Sequence, residues 1–283
     1  MSKILPRTVP KSVHHPALST PPLARPQGAC DRTPMLKGAT IVFDLDGTLV
    51  DTAPDLTHAL NHVLTRRGHG PVSAAAVRAG IGLGIRVMIE ETLRRLGATD
   101  DLDEMLAEFL VYYEANVARE SRPYPGAVTA LKRLASQGAT LAVCTNKREY
   151  LSRLLLQELD LEDHFSAIAG RDTFAAAKPD PGHLNGTIKL AGGDPSRALL
   201  VGDSDVDVQT AKAAGVPVIL VSFGYAATAL AGLEAEATID HFARRVRCNT
   251  PCRQNAAQCT ILTRLNTAQD QPYFHPAGLN EEP

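Results

Sequence analysis

The chain has 283 residues, 44% of them hydrophobic and 21% charged, with a formal net charge of -2 at pH 7. That length accommodates one large domain or two modest ones with a sizeable core, and the near-neutral balance speaks against a general nucleic-acid or membrane-surface binder. No apolar run reaches the length of a transmembrane helix, and five cysteines in a chain this long do not read as a disulfide framework, so a reducing cytoplasm is the expected setting.

Residues 1–38 differ in character from the rest of the chain. Prolines recur at Pro6, Pro10, Pro16, Pro21, Pro22, Pro26 and Pro34, and no acidic residue precedes Asp31. Repeated proline forbids a persistent helix, and the apolar centre of a signal peptide is missing. A disordered extension is expected, with Met35 as a second candidate start.

Ala39-Thr40-Ile41-Val42-Phe43 carries no charge and reads as a strand buried on both faces. Asp44 and Asp46 come directly after it, backed by Gly47 and Thr48. An apolar strand that ends in paired acids puts charge at the rim of a sheet, where open α/β sheets bind ligands. A plain turn is the alternative, since Asp and Gly favour turns.

Residues 54–122 show only helical periodicity. Leu56, Ala59, Leu60, Val63 and Leu64 share one face, Ile85, Met88, Ile89, Leu93 and Leu96 a second, and Leu102, Met105, Leu106, Phe109 and Tyr113 a third. An all-helical insertion is therefore expected after the first strand. Arg122-Pro123-Tyr124-Pro125-Gly126 reads as a joint, beyond which helix and strand alternate. Strands are expected at 140–144, near 167–169, at 198–201 and at 218–221, with helices between them. That alternation implies parallel strands and right-handed crossovers, a doubly wound Rossmann-like sheet of the α/β class. The core is thus expected to comprise 39–53 and 123–244. Residues 245–283 lose the pattern and read as an irregular tail. Cys248, Cys252 and Cys259 within it do not have a zinc-site spacing.

Reactive groups recur at the expected strand ends: Asp44 and Asp46, then Thr145 and Asn146, then Asp203 and Asp207, with Lys178 in the loop Lys178-Pro179-Asp180-Pro181. Parallel strands would bring all of them to one rim. Two carboxylates about 4 Å apart repel by roughly 4 kcal/mol at an effective dielectric of 20, so such a cluster calls for a cation. Oxygen ligands without nearby His or Cys favour Mg2+ over zinc. Lys178 and the cation together could hold a phosphate dianion that the acids alone would repel. The blander readings are that Thr145 and Asn146 cap the next helix, that Lys178 is a solvated surface residue, and that Cys144 is buried strand packing.

The motifs FDLDGTLVDT (43–52), CTNK (144–147), KPDP (178–181) and GDSDVD (202–207), in that order, resemble the haloacid dehalogenase-like hydrolase superfamily. Gly80-Ile81-Gly82-Leu83-Gly84 and Tyr124-Pro125-Gly126 resemble its bacterial phosphoglycolate phosphatase branch. The resemblance implies that Asp44 attacks phosphorus to form an aspartyl-phosphate and that Asp46 is the general acid and base. It implies a Mg2+ site made by Asp44, Asp46 (through its backbone carbonyl) and Asp203, with Asp207 orienting Lys178 or a water on the cation. Thr145, the Asn146 N–H and Lys178 would bind phosphate. The helical insertion would be a cap, with Gly82, Gly84 and Arg86 facing the rest of the substrate, although Arg86 equally suits a solvent-facing helix position. The expected substrate is 2-phosphoglycolate. The alternatives are another small ester such as a sugar phosphate or pyrophosphate, a phosphosugar mutase, or a non-catalytic phospholigand-binding protein. Dehalogenation has no use for the second acid, Asp46. The expected partner is a small phosphorylated metabolite, not nucleic acid or membrane, and the chain is expected to be a monomer or homodimer.

Overall fold

The computed structural model describes residues 36–226 and 232–242, together with the backbone of 247–248. The expectations for residues 1–35 and for most of the tail, including Cys252 and Cys259, lie outside the described residues.

The sheet is built from β1 (Thr40–Phe43), β4 (Thr140–Cys144), β5 (Ala167–Ala169), β6 (Ala198–Gly202), β7 (Val218–Val221) and β8 (Ala237–Ile239), in the order β5-β4-β1-β6-β7-β8 with every pairing parallel. The short β9 (Arg247–Cys248) adds an antiparallel edge, within the stretch expected to be irregular. Neither β8 nor β9 was anticipated, and the two residues of β9 are too few to show alternation.

Side chains alternate across the sheet. Ile41, Phe43, Leu141, Val143, Leu199 and Val201 enter one apolar cluster, while Val42, Ala142, Cys144, Leu200 and Leu220 enter the other. Helix α5 (Ala127–Ser136) and α6 (Glu149–Glu158) cover the first face; α7 (Pro181–Leu190) and α8 (Asp205–Ala214) cover the second. The chain is thus a doubly wound α/β fold, as expected from the alternation. Its core starts earlier than residue 39: Leu36 is 1% exposed, and its N–H donates to the Gln137 carbonyl.

Between Asp51 and Arg122 the chain leaves the sheet through α1 (Ala53–Arg66), α2 (Ala74–Ile81), α3 (Ile85–Leu96) and α4 (Leu102–Glu114). The expected faces bury Leu56, Leu60, Val63, Met88, Ile89, Met105, Phe109 and Tyr113. Leu96 departs from its face and is 43% exposed, lying at the last residue of α3. Helix α2 was not anticipated; it buries Val77 and Ile81, and Ser73 starts it by accepting from Ala76 N–H.

The two crossings between sheet and insertion lie side by side. β2 (Val50–Asp51) and β3 (Arg122–Pro123) pair antiparallel. Asp55, 1% exposed, ties this junction. Its carboxylate accepts from the N–H of Glu120 and from both the N–H and the hydroxyl of Ser121. Asp55→Ala leaves these buried donors unmatched, and it is expected to lower stability in urea unfolding by about 3 kcal/mol; Asp55→Asn, which keeps an acceptor, is expected to lose less than half of that.

Candidate active site

Adjacent parallel strands β1 and β6 end side by side, and the Asp44 N–H donates to Val201 O at 2.8 Å. Asp44 and Asp203 therefore project from neighbouring strand ends. The chain after Asp44 turns sharply: Leu45 O accepts from the N–H groups of Thr48, Leu49 and Val50. Gly47 makes the turn at φ 85°, and a Cβ there would lie 2.5 Å from Asp203 Oδ2, so both conformation and space require glycine.

Asp44, Asp203 and Asp207 offer buried carboxylate oxygens within 4.8 Å of one another. Lys178 Nζ enters this cluster 2.9 Å from Asp44 Oδ1 and 2.7 Å from Asp207 Oδ1. Its backbone N–H donates to His183 Nδ1. Burial, and then the Lys178 charge, lower the His183 pKa to about 4, so a neutral acceptor holds the lysine loop near neutral pH. Asp207 Oδ2 accepts from Ser204 Oγ at 2.7 Å and from the N–H groups of Ser204 and Asp203, closing a capping box on α8. Asp207 is thus committed through both oxygens.

Burial raises Asp44 to about 6, with Lys178 opposing, and raises Asp203 to about 8, reinforced by Asp207 and Asp44. Burial also works against the charge on Lys178, but Asp207 and Asp44 outweigh it and hold the ammonium above the ordinary lysine range. Three carboxyls share one ammonium here. The oxygen-only donor set, with three buried carboxyls gathered around one ammonium, fits a hard divalent cation.

Asp46 lies outside that cluster. Its carboxylate accepts from Thr52 Oγ1 at 2.7 Å and from Lys147 Nζ at 3.1 and 3.4 Å. Lys147 also donates to the Tyr113 hydroxyl at 2.7 Å. A cavity of about 10 Å3 adjoins Asp46 and Lys147, walled by Leu56, Ile81, Gly84, Ile85 and Met88. It has room for about one water molecule.

Thr145 and Asn146 come after β4 at the same rim. Thr145 is buried, and its hydroxyl accepts from Lys147 N–H. Asn146 Nδ2 donates to Gly82 O and to Lys178 O, both at 3.1 Å, joining the helical insertion to the lysine loop. Gly82 and Gly84 therefore lie over the rim. Gly84 has φ 96°, and a Cβ there would meet Arg171 at 2.7 Å. Arg86 turns elsewhere. It pairs with Asp103 of α4 and lines an outer cleft of about 220 Å3 with Asn146, Arg148 and Arg171. Asp205 is exposed, as a surface acid would be, and Cys144 is wholly buried, where burial holds its thiol near 12.

Sequence reasoning assigned no part to Lys147, Tyr113, Thr52 or Tyr225. The Tyr225 hydroxyl accepts from the N–H groups of Thr52 and Ala53, and the Tyr225 N–H donates to Asp203 Oδ2. Lys147 had a signal, as the last residue of CTNK; Tyr225 had none, lying 173 residues from Thr52.

A family model described as haloacid dehalogenase-like hydrolase matches residues 41–221. A Mesorhizobium japonicum protein named phosphoglycolate phosphatase is 51% identical over 71% of this chain and 90% of its own length. An Agrobacterium fabrum protein of the same name is 46% identical over 71% and 88%. The crystal structure of a predicted phosphoglycolate phosphatase from Haemophilus somnus superposes with a TM-score of 0.66 at 29% identity, over 73% of this chain and 95% of its own. With its two acids at the end of β1 and its buried lysine and aspartates on the same rim, the chain belongs to the haloacid dehalogenase-like hydrolase family.

Proposed function

We propose that the protein is a Mg2+-dependent phosphomonoester hydrolase that converts 2-phosphoglycolate to glycolate and phosphate. The observation that carries the reaction class is the separation of the two acids of β1: Asp44 sits in the lysine and carboxylate cluster, whereas Asp46 sits beside the small cavity with Thr52 and Lys147. One acid is thereby suited to attack phosphorus and the other to serve the leaving oxygen.

Asp44 attacks phosphorus, the bond to the ester oxygen breaks, and Asp46 gives that oxygen its proton. Asp46 then takes a proton from water, which attacks the aspartyl-phosphate and releases phosphate with Asp44 restored. Lys178, Thr145 and the Asn146 N–H hold the phosphoryl oxygens, positioning and charge being most of what this transfer requires. Mg2+ bound by Asp44, Asp203 and the Asp46 carbonyl would keep these carboxyls ionised and offset phosphate charge. Asp207 positions Lys178. The helical insertion acts as a cap that excludes water, and its Gly82–Gly84 turn covers the leaving group.

Two observations support the small substrate. Relatives sharing 51% and 46% of their aligned residues carry the name phosphoglycolate phosphatase. The cavity beside Asp46 is small, with room for about one water molecule, which favours a short leaving group. Among the described residues no helix is long and apolar enough to cross a membrane.

Asp44→Asn is expected to retain the fold by circular dichroism and to lose hydrolysis of 2-phosphoglycolate to background; a folded, homogeneous sample that keeps substantial turnover contradicts the nucleophile. Mg2+ at about 100 times its Kd is expected to stabilise the wild-type protein by about 2.7 kcal/mol, read as a rise in Tm. Asp203→Asn is expected to be at least as stable as wild type without Mg2+, since one acid of the cluster is gone, and to show no Mg2+-dependent rise.

A further inference from the structure

We propose that Lys147 is the residue that recognises the substrate's carboxylate, binding it in the cavity beside Asp46. The inference rests on the substrate reading above and concerns the end of the substrate that the phosphate-binding groups cannot sense.

In 2-phosphoglycolate the carboxylate is joined to the ester oxygen through a single methylene carbon. A general acid must come within hydrogen-bonding reach of the oxygen it protonates. With Asp46 at the ester oxygen, the carboxylate has to lie in the space next to Asp46. That space is the small cavity, and Leu56, Ile81, Ile85 and Met88 make its walls apolar. Lys147 is the cation that lines it. Arg86 stands in the outer cleft with Arg148 and Arg171, with its guanidinium paired to Asp103.

The donor arrangement of Lys147 suits the role. Its side chain is 1% exposed, so water does not screen it. An ammonium has three N–H donors. The Tyr113 hydroxyl accepts one at 2.7 Å, and Asp46 accepts through Oδ1 at 3.1 Å and, in a long contact, through Oδ2 at 3.4 Å. The Tyr113 ring lies against the ammonium, 4.6 Å from Nζ to its centroid, fixing it from the side of α4. An anion entering the cavity finds a held, desolvated ammonium whose longest contact, to Asp46 Oδ2 at 3.4 Å, it can replace. An uncharged alkyl group finds only the apolar walls.

Ethyl phosphate has the same two-carbon length without the carboxylate, so it is the comparison substrate. Wild-type enzyme is expected to prefer 2-phosphoglycolate in kcat/KM. Lys147→Met is expected to lower kcat/KM for 2-phosphoglycolate by on the order of 10- to 100-fold more than for ethyl phosphate. Equal losses on both esters, or an intact preference, overturn the role of Lys147 while leaving the substrate reading standing. No preference in the wild type overturns the substrate reading and this inference with it. A second measurement leaves residue 147 unaltered. In Asp44→Asn protein with 15N-labelled lysine, 2-phosphoglycolate is expected to shift the Lys147 side-chain resonance well beyond the shift caused by ethyl phosphate. Equal shifts from the two esters overturn the inference even if Lys147→Met does not fold.

Discussion

The buried ammonium of Lys178 between Asp44 and Asp207 is the contact on which the rim depends. Parallel pairing of β1 with β6 delivers Asp44 and Asp203 to adjacent strand ends, and the first turn of α8 delivers Asp207. Hydrophobic packing of the strands thus forces like charges together in a place poor in water, where an unpaired carboxylate is costly. Lys178 offsets part of that cost. The structure around it is arranged to keep it there: His183 holds its backbone N–H, and the Ser204–Asp207 capping box fixes the carboxylate it pairs with.

A second buried ammonium, Lys147, stands on the other side of the turn after β1. The two lysines divide the two acids of β1 between them, Lys178 with Asp44 and Lys147 with Asp46. Their surroundings differ. Lys178 is set wholly among sheet-rim elements, whereas Lys147 reaches across to Tyr113 of the helical insertion. The sheet alone therefore completes one charge centre, and the other is complete only with α4 in place.

Much of this was legible in the residues. Strands buried on both faces read as uncharged runs, so the acids ending β1 and β6 stood out, and the alternation of helix and strand implied which ends would meet. What escaped notice had weak local signals. β2 and β3 hold two residues each, fewer than any periodicity needs. Helix α2 is alanine-rich, with only Val77 and Ile81 to mark its buried face. Tyr113 was read as one of an apolar series, because spacing shows a buried face and not the hydroxyl's partner. Arg86 was read as a substrate contact or a solvent-facing helix residue from its place after Gly84, and spacing alone does not show its pairing with Asp103 of α4. Tyr225 joins Asp203 to the start of α1 across a sequence gap that only the folded chain closes.

The side-by-side pairing of Asp51 with Arg122 has a consequence for how such a chain can change over evolutionary time. The helical insertion is attached by two neighbouring strands, so the distance its ends must span is the same whatever lies between them. A longer, shorter or differently folded segment spliced at this ribbon leaves the strand order, the register of β1 with its neighbours, and the rim carboxylates where they are. The sheet can keep its chemistry while the module above it is exchanged, provided the newcomer supplies an acceptor for the ammonium of Lys147.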